Sequence, residues 1–211
     1  MKKALYSLLI IAFFFQNGFS QEYTFDSYYE YKTLNNGSTN FYFINSKDNS
    51  YFLNGTHGSE SIYGTVRDLK KNITHEYEVI NHENSIQFNY LFSKKYNLDT
   101  YGSNFVVETS EKEIDSTKRE IKIVIFKNKR KKKIECVVDI LIENSDDLFC
   151  NQLLNAFSHG RLKNTNFKID KGILLNFKVD FQNGFKVETK LIKKQKINTL
   201  LSISKEEIKY N

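Results

Sequence analysis

The densest chemistry in this chain is electrostatic. Lys127, Lys129, Arg130, Lys131, Lys132 and Lys133 place six cations in seven residues. Like charges so close repel one another and stay hydrated. The run therefore suits a solvated hairpin tip, or a surface docking on anionic lipid head groups, surface polysaccharide or nucleic acid. His57, His75, His82 and His159 are the other groups able to hold a metal or move a proton. His75-Glu76 and His82-Glu83 each pair a base with an acid, but no H-E-x-x-H spacing occurs, and both read as solvated strand ends. His57-Gly58-Ser59-Glu60 lacks the G-x-S-x-G elbow that presents a nucleophilic serine, so it reads as a loop. Asp146-Asp147 and Glu206-Glu207 read as capping and solvated carboxylates. No catalytic residue, metal site or cofactor is expected, and the chain reads as non-enzymatic.

Cys136 and Cys150 are the only cysteines. A bridge between them needs Cα atoms within about 7 Å. If the strand carrying Cys136 runs on to Ile142, that cysteine lies about 20 Å back from its end. Cys150 lies only about 5 Å into the following helix. A disulfide thus requires the strand to bend or end near Val138; otherwise the two are buried thiols. No C-x-x-C redox motif occurs.

The elements that position these residues are read from period-two alternation. Tyr23, Phe25, Tyr29 and Tyr31 share one parity before Asn35-Asn36-Gly37, a turn. Phe41 and Phe43 follow, then a loop over Lys47-Asp48-Asn49-Ser50, then a short strand from Tyr51 ending at an Asn54-Gly55 turn. Ile62 to Val66, Tyr77 with Val79, and Ile86, Phe88, Tyr90 and Phe92 continue the pattern. Ile121, Ile123 and Ile125 lead into the basic run, and Ile134, Cys136, Val138, Ile140 and Ile142 return, a β-hairpin with a cationic tip. Asp146 to Ser158 switches to a helical stripe of Leu148, Phe149, Leu153, Leu154 and Phe157, with Ser145 as N-cap and Gly160 closing it. Ile173, Leu175, Phe177, Val179 and Phe181 alternate up to an Asn183-Gly184 hairpin turn, and Phe185, Val187 and Leu191 return. Leu200, Leu201 and Ile203 form a last strand, and the tail from Lys205 is polar and frayed. Aromatics occupy both parities in Tyr28–Tyr31 and Tyr42–Phe43, so some rings are expected on a less buried face, the one hint of a functional aromatic surface.

Lys2 and Lys3 precede an apolar run from Leu5 to Phe15, and Gly18 and Ser20 sit at −3 and −1 of Gln21. This reads as a signal peptide over residues 1–20, cleaved before Gln21, with residues 21–211 forming one domain. The apolar run is shorter than the ~20 residues of a spanning helix, so the mature chain is expected to be secreted or periplasmic, without a transmembrane segment. Losing Lys2 and Lys3 leaves 29 basic against 25 acidic residues, a mild excess that names no partner. Arg67, Arg119, Arg130 and Arg161 are the only arginines, which argues against a nucleic-acid reader. Three N-x-S/T sequons, at Asn36, Asn54 and Asn72, are accounted for by the asparagine content.

The hairpin from Ile121 to Ile142, the helix 146–158 and the hairpin from Gly172 to Thr189 together resemble LolA-like periplasmic lipoprotein carriers. The leader ending Phe19-Ser20 before Gln21 resembles those of secreted Bacteroidetes envelope proteins. The resemblance implies an unclosed barrel with a helix in its concavity and a lipidic cargo. Such carriers have more helix and an arginine inside the cavity, which has no counterpart here, so no family residue is carried over. The expected fold is mainly β: a curved antiparallel sheet or half-barrel with one packed helix. The expected function is a non-enzymatic binding or carrier module for an apolar or lipidic ligand. The alternative is an envelope interaction protein using an aromatic face or the basic tip 127–133. The partner is then a lipid or envelope component and not nucleic acid. Intact-mass analysis of protein secreted by its producing cell should return residues 21–211; a mass about 2 Da below the dithiol form would mark a Cys136–Cys150 bridge.

Overall fold

The computed structural model describes residues 21–57, 62–82, 85–95, 105–157, 162, 165, 167–169, 171–204 and 208. The leader over 1–20, residues 58–60 of the His57 loop, the side chain of His82, Glu83, the helix end at Ser158–Gly160, Glu206 and Glu207 fall outside them. Among the described residues, eleven strands build one sheet. They are β1 (Gln21–Thr33), β2 (Thr39–Asn45), β3 (Asp48–Thr56), β4 (Ile62–Asp68), β5 (Ile73–His82), β6 (Ser85–Lys95), β7 (Val106–Asp115), β8 (Lys118–Phe126), β9 (Ile134–Glu143), β10 (Ile173–Asp180) and β11 (Lys186–Ile203). The helix α1 spans Cys150–Phe157. Among the described residues no helix is long and apolar enough to cross a membrane.

The strand order is β6-β5-β4-β3-β2-β1-β11-β10-β9-β8-β7, and every ladder is antiparallel. The first and last strands, β1 and β11, thus pair in the middle of the sheet, and its edges are the consecutive strands β6 and β7. Ten antiparallel ladders separate those edges, so β6 and β7 run in the same direction. Closing the sheet would require a parallel ladder, whose crossover takes about a dozen residues or more. Only ten residues separate Lys95 from Val106, and the sheet stays open.

Two apolar cores use opposite faces of this sheet. The first lies under α1. There Phe149, Leu153 and Leu154 meet Ile121, Ile123 and Ile125 of β8, Val138, Ile140 and Ile142 of β9, and Phe177 of β10. The second is enclosed by β1–β6 and the end of β11, around Tyr23, Phe25, Phe41, Phe43, Leu53, Val66, Tyr77, Val79, Leu201 and Ile203. On a flat sheet β2 and β6 would be about 19 Å apart. The rings of Phe43 and Phe88 are 5.5 Å apart, so this half curls on itself.

Strands β1 and β2 are shared by both cores, which overturns the expectation of a less buried aromatic face. Phe41 and Phe43 point into the second core, Tyr42 and Ile44 into the first. In β1 the register slips between Phe25 and Ser27, so Tyr23 and Phe25 face the second core while Tyr29 and Tyr31 face the first. All of these rings are buried. Other slips redirect single residues. A shift between Leu174 and Asn176 buries Leu174 more deeply than Leu175 and leaves its carbonyl to accept the buried Tyr31 hydroxyl at 2.9 Å. A shift at Glu76/Tyr77 puts Phe92 opposite Glu76, off the face that carries Phe88 and Tyr90.

The turns expected at Asn36-Gly37 and Asn183-Gly184 are present, with Gly37 at φ 72° and Gly184 at φ 87°. Asn54-Gly55 is no turn; it lies inside β3. A Cβ on Gly55 would stand 2.3 Å from the Phe41 ring and 2.4 Å from the Tyr63 carbonyl, so glycine is there to admit an aromatic ring over the strand. The loop expected over 47–50 shrinks to Ser46-Lys47, because Asn45 Oδ1 accepts from the amides of Lys47 (3.0 Å) and Asp48 (3.1 Å) and tightens the hairpin. Leu200–Ile203 is the end of the single 18-residue β11, not a separate strand. Ile208, in the tail expected to be frayed, packs against the second core. Strand β7 escapes the sequence reading, because an edge strand exposed on both faces carries no apolar alternation.

The helix begins four residues later than expected. Ser145 Oγ accepts from the Asp147 amide at 3.2 Å, and Asp147 Oδ1 accepts from the Phe149 amide at 2.9 Å, so two local turns precede α1. The second oxygen of the buried Asp147 carboxylate accepts from the Tyr29 hydroxyl. Gly55→Ala should destabilise the fold by about 2–3 kcal/mol in urea denaturation through displacement of Phe41; a change below 0.5 kcal/mol would contradict that packing.

Candidate functional site

The expected cationic tip is a real hairpin end joining β8 to β9. The Lys127 amide donates to the Lys133 carbonyl at 3.0 Å and closes it. Inside, Asn128 Oδ1 accepts from the Arg130 amide at 3.0 Å, and Lys131 takes a left-handed conformation at φ 52°. All six cations are exposed. Lys127 pairs with Glu135 at 3.2 Å, and Lys131 pairs with Glu108 of β7. Lys129, Arg130, Lys132 and Lys133 make no ion pair among the described residues.

The neighbouring tip joins β10 to β11. Phe181 N–H donates to the Phe185 carbonyl at 3.0 Å, Asp180 Oδ1 accepts from the Gln182 amide, and Asn183 Oδ1 accepts from the Phe185 amide. The loop therefore has three residues, with Gln182 also left-handed at φ 59°. The rings of Phe181 and Phe185 stack at 5.5 Å, the first buried, the second exposed. Between the two tips lies a notch of about 550 Å³ lined by Lys127, Lys133, Ile134, Glu135, Phe181 and Phe185, with Gln182 and Asn183 at its rim. Sequence reading identified the cations but missed the Phe181–Phe185 wall beside them, because the two tips are 50 residues apart in the chain.

The space between sheet and helix, expected to hold an apolar ligand, is occupied by side chains. Phe149 packs its ring 5.9 Å from Tyr42 and 5.2 Å from Phe52. Cys136 and Cys150 belong to this core, buried and without a disulfide. β9 runs past Val138 to Glu143, so the bend that a bridge requires does not occur. Burial pushes the Cys150 thiol up to about 12, which leaves it unreactive at neutral pH.

His75 is not a solvated strand end. Continuing the β5 alternation back from Val79 and Tyr77 places it in the second core, where it is 0% exposed. Its Nδ1 lies 2.7 Å from Ser93 Oγ, and Ser93 Oγ lies 2.7 Å from the Tyr90 hydroxyl. Its Nε2 lies 3.0 Å from the Tyr23 hydroxyl and 3.0 Å from Gln21 Oε1. Tyr23 donates to Asp68 Oδ2 at 3.0 Å. One assignment satisfies this chain: Tyr90 donates to Ser93, Ser93 to His75 Nδ1, and His75 Nε2–H to Tyr23, which donates to Asp68. The series resembles a nucleophile–base–acid relay, but Ser93 is also 0% exposed and the carboxylate reaches the imidazole only through Tyr23. The series satisfies polar groups inside an aromatic core. His57 stays at the surface, 3.8 Å from Glu30. No group of three or more His, Cys, Asp or Glu side chains converges among the described residues.

Comparison with protein-family models, curated proteins and solved structures found no match.

Burial pulls the His75 imidazole from 6.5 down to about 4, against a smaller upward pull from Asp68. The unfolded chain therefore binds more protons between those values, and stability falls as pH drops from about 6.5 to about 4. The full effect is on the order of 3 kcal/mol. Urea titrations across that window should show this slope, and His75→Gln should flatten it; equal slopes in both proteins would contradict the burial of a neutral imidazole.

Proposed function

We propose that the protein is a non-enzymatic binding module of the cell envelope that contacts an anionic partner through the paired tips at Lys127–Lys133 and Phe181–Phe185. The observation that carries this reading is the notch between them, where Lys127 and Lys133 sit beside an exposed aromatic ring, and three further cations of the tip, Lys129, Arg130 and Lys132, make no ion pair among the described residues. Cations beside a rigid ring suit a ligand with anionic oxygens and some apolar surface. A carrier role for a ligand held between sheet and helix has less support, since aromatic and aliphatic side chains fill that space. The outer face of β8–β11 also offers little net charge. Lys122, Asp139, Lys178 and Glu188 stand side by side across four strands and alternate in sign.

Retention on immobilised heparin, a soluble-polyanion probe, should fall steeply with added salt. Replacing Lys129, Arg130, Lys132 and Lys133 together by serine should lower affinity on the order of 10²–10³-fold at low salt, at about 1 kcal/mol per cation. The far-UV circular dichroism should not change. Undiminished retention of that variant would overturn the assignment of the tip.

A further inference from the structure

The strand order carries the basic tip into a larger surface. Adjacent strands β2-β1-β11-β10-β9-β8 bring three hairpin ends to the same end of the sheet: the β1–β2 turn, the β10–β11 loop and the basic β8–β9 tip. Each presents a large apolar side chain to solvent: Leu34 at 46% exposure, Phe185 at 55% and Ile134 at 38%. Ile134 and Phe185 line the notch of about 550 Å³, and Leu34 lines a separate concavity of about 360 Å³ with Lys178 and Lys186 and the carboxylates Asp139, Asp180 and Glu188.

We propose that this end of the sheet docks on the surface of an anionic bilayer, Phe185, Ile134 and Leu34 entering the boundary between head groups and acyl chains while the basic tip meets anionic head groups. The proposal rests on the reading of the tip given above and names its partner. A soluble polyanion is recognised by cations alone and gives no reason for three apolar side chains at the extremity of three successive hairpins. A bilayer surface matches both: anionic oxygens outside and an apolar layer a few ångströms beneath. The geometry is set before contact. Stacking on the buried Phe181 holds the Phe185 ring, and Asn183 Oδ1 accepts from the Phe185 amide at 3.0 Å. The Leu34 turn is tied to β11 by the Leu34 amide donating to the Glu188 carbonyl at 2.8 Å and by Asn35 Oδ1 accepting from the Glu188 amide at 2.9 Å. Glu135, the one carboxylate lining the notch, is paired with Lys127 at 3.2 Å.

The sequence has no tryptophan, so a single substitution supplies a reporter. Phe185→Trp in the chain from Gln21 should show an emission blue shift with vesicles of phosphatidylcholine and phosphatidylglycerol, and quenching by acyl-brominated lipid. Phosphatidylcholine alone should give neither. Ile192→Trp, placed within β11 away from the tips, should stay unshifted. In flotation with the same anionic vesicles, Phe185→Ser should reduce the bound fraction about tenfold while heparin retention is unchanged. Vesicle binding with Phe185→Trp unshifted, or Phe185→Ser floating like the parent, would overturn insertion and leave the polyanion reading standing. Heparin retention without vesicle binding would make the partner a soluble polyanion or a protein and overturn the bilayer. Loss of both would overturn the reading of the tip itself.

Discussion

Strand β1 faces two cores, and the architecture depends on the point where it changes sides. That point is Asp26. Its carboxylate accepts from the Ser27 hydroxyl at 2.9 Å, the Ser46 amide at 3.0 Å and the Ser46 hydroxyl at 2.6 Å, and Lys196 donates to Ser27 at 3.0 Å. Burial alone would raise the Asp26 carboxyl, but the bonds from Ser46 and Ser27 and the Lys196 ammonium hold it below its usual value. The Leu148 amide, leading into α1, donates to the Ser46 carbonyl at 3.2 Å. One ionised group thus joins β1, β11, the β2–β3 turn and the approach to the helix. Unbroken alternation would have put Tyr29 and Tyr31 on the face of Tyr23 and Phe25, away from the core under the helix. Tyr29 also donates to Asp147, whose carboxyl burial raises, so the same strand anchors the turns before the helix.

Two filled cores consume the interior. A sheet curled around aromatic rings in one half and around a helix in the other spends its concave surfaces on packing. The ends of the strands lie outside both cores, and hairpin loops there are free of the ladder and hold side chains in solvent. On the outer face of β8–β11, Lys122, Asp139, Lys178 and Glu188 alternate in sign across the strands. The tip 127–133 holds charge that is not cancelled, beside an aromatic pair supplied by a different hairpin.

The odd number of strands makes the two edges of the open sheet parallel. With eleven strands in one antiparallel succession the two edges point the same way, and hydrogen bonding between them would take a different geometry from every other ladder. β7 bears its edge position with charge: Glu108, Glu111, Lys112, Glu113 and Asp115 line it, which discourages pairing with another chain. Arg119 of β8 pairs with Glu111 at 3.1 Å and helps hold it in place.

Much of the β class, the two C-terminal hairpins, the existence of a helix near residue 150 and the position of the cationic tip were legible in the chain, because alternation, turn chemistry and charge density are local properties. The Phe181–Phe185 wall of the site was not, since its partner Lys133 reaches it through strand pairing. Nor was the burial of His75, whose Tyr23 partner lies 52 residues away. By itself the sequence determined which segments alternate, where they turn and where charge collects. Tertiary structure decided which face each aromatic meets, that glycine at 55 admits a ring instead of making a turn, and that the helix–sheet space is filled. The physical reason is that a single register slip reverses every side chain beyond it, and such slips are set by partners across the sheet rather than by neighbours along the chain.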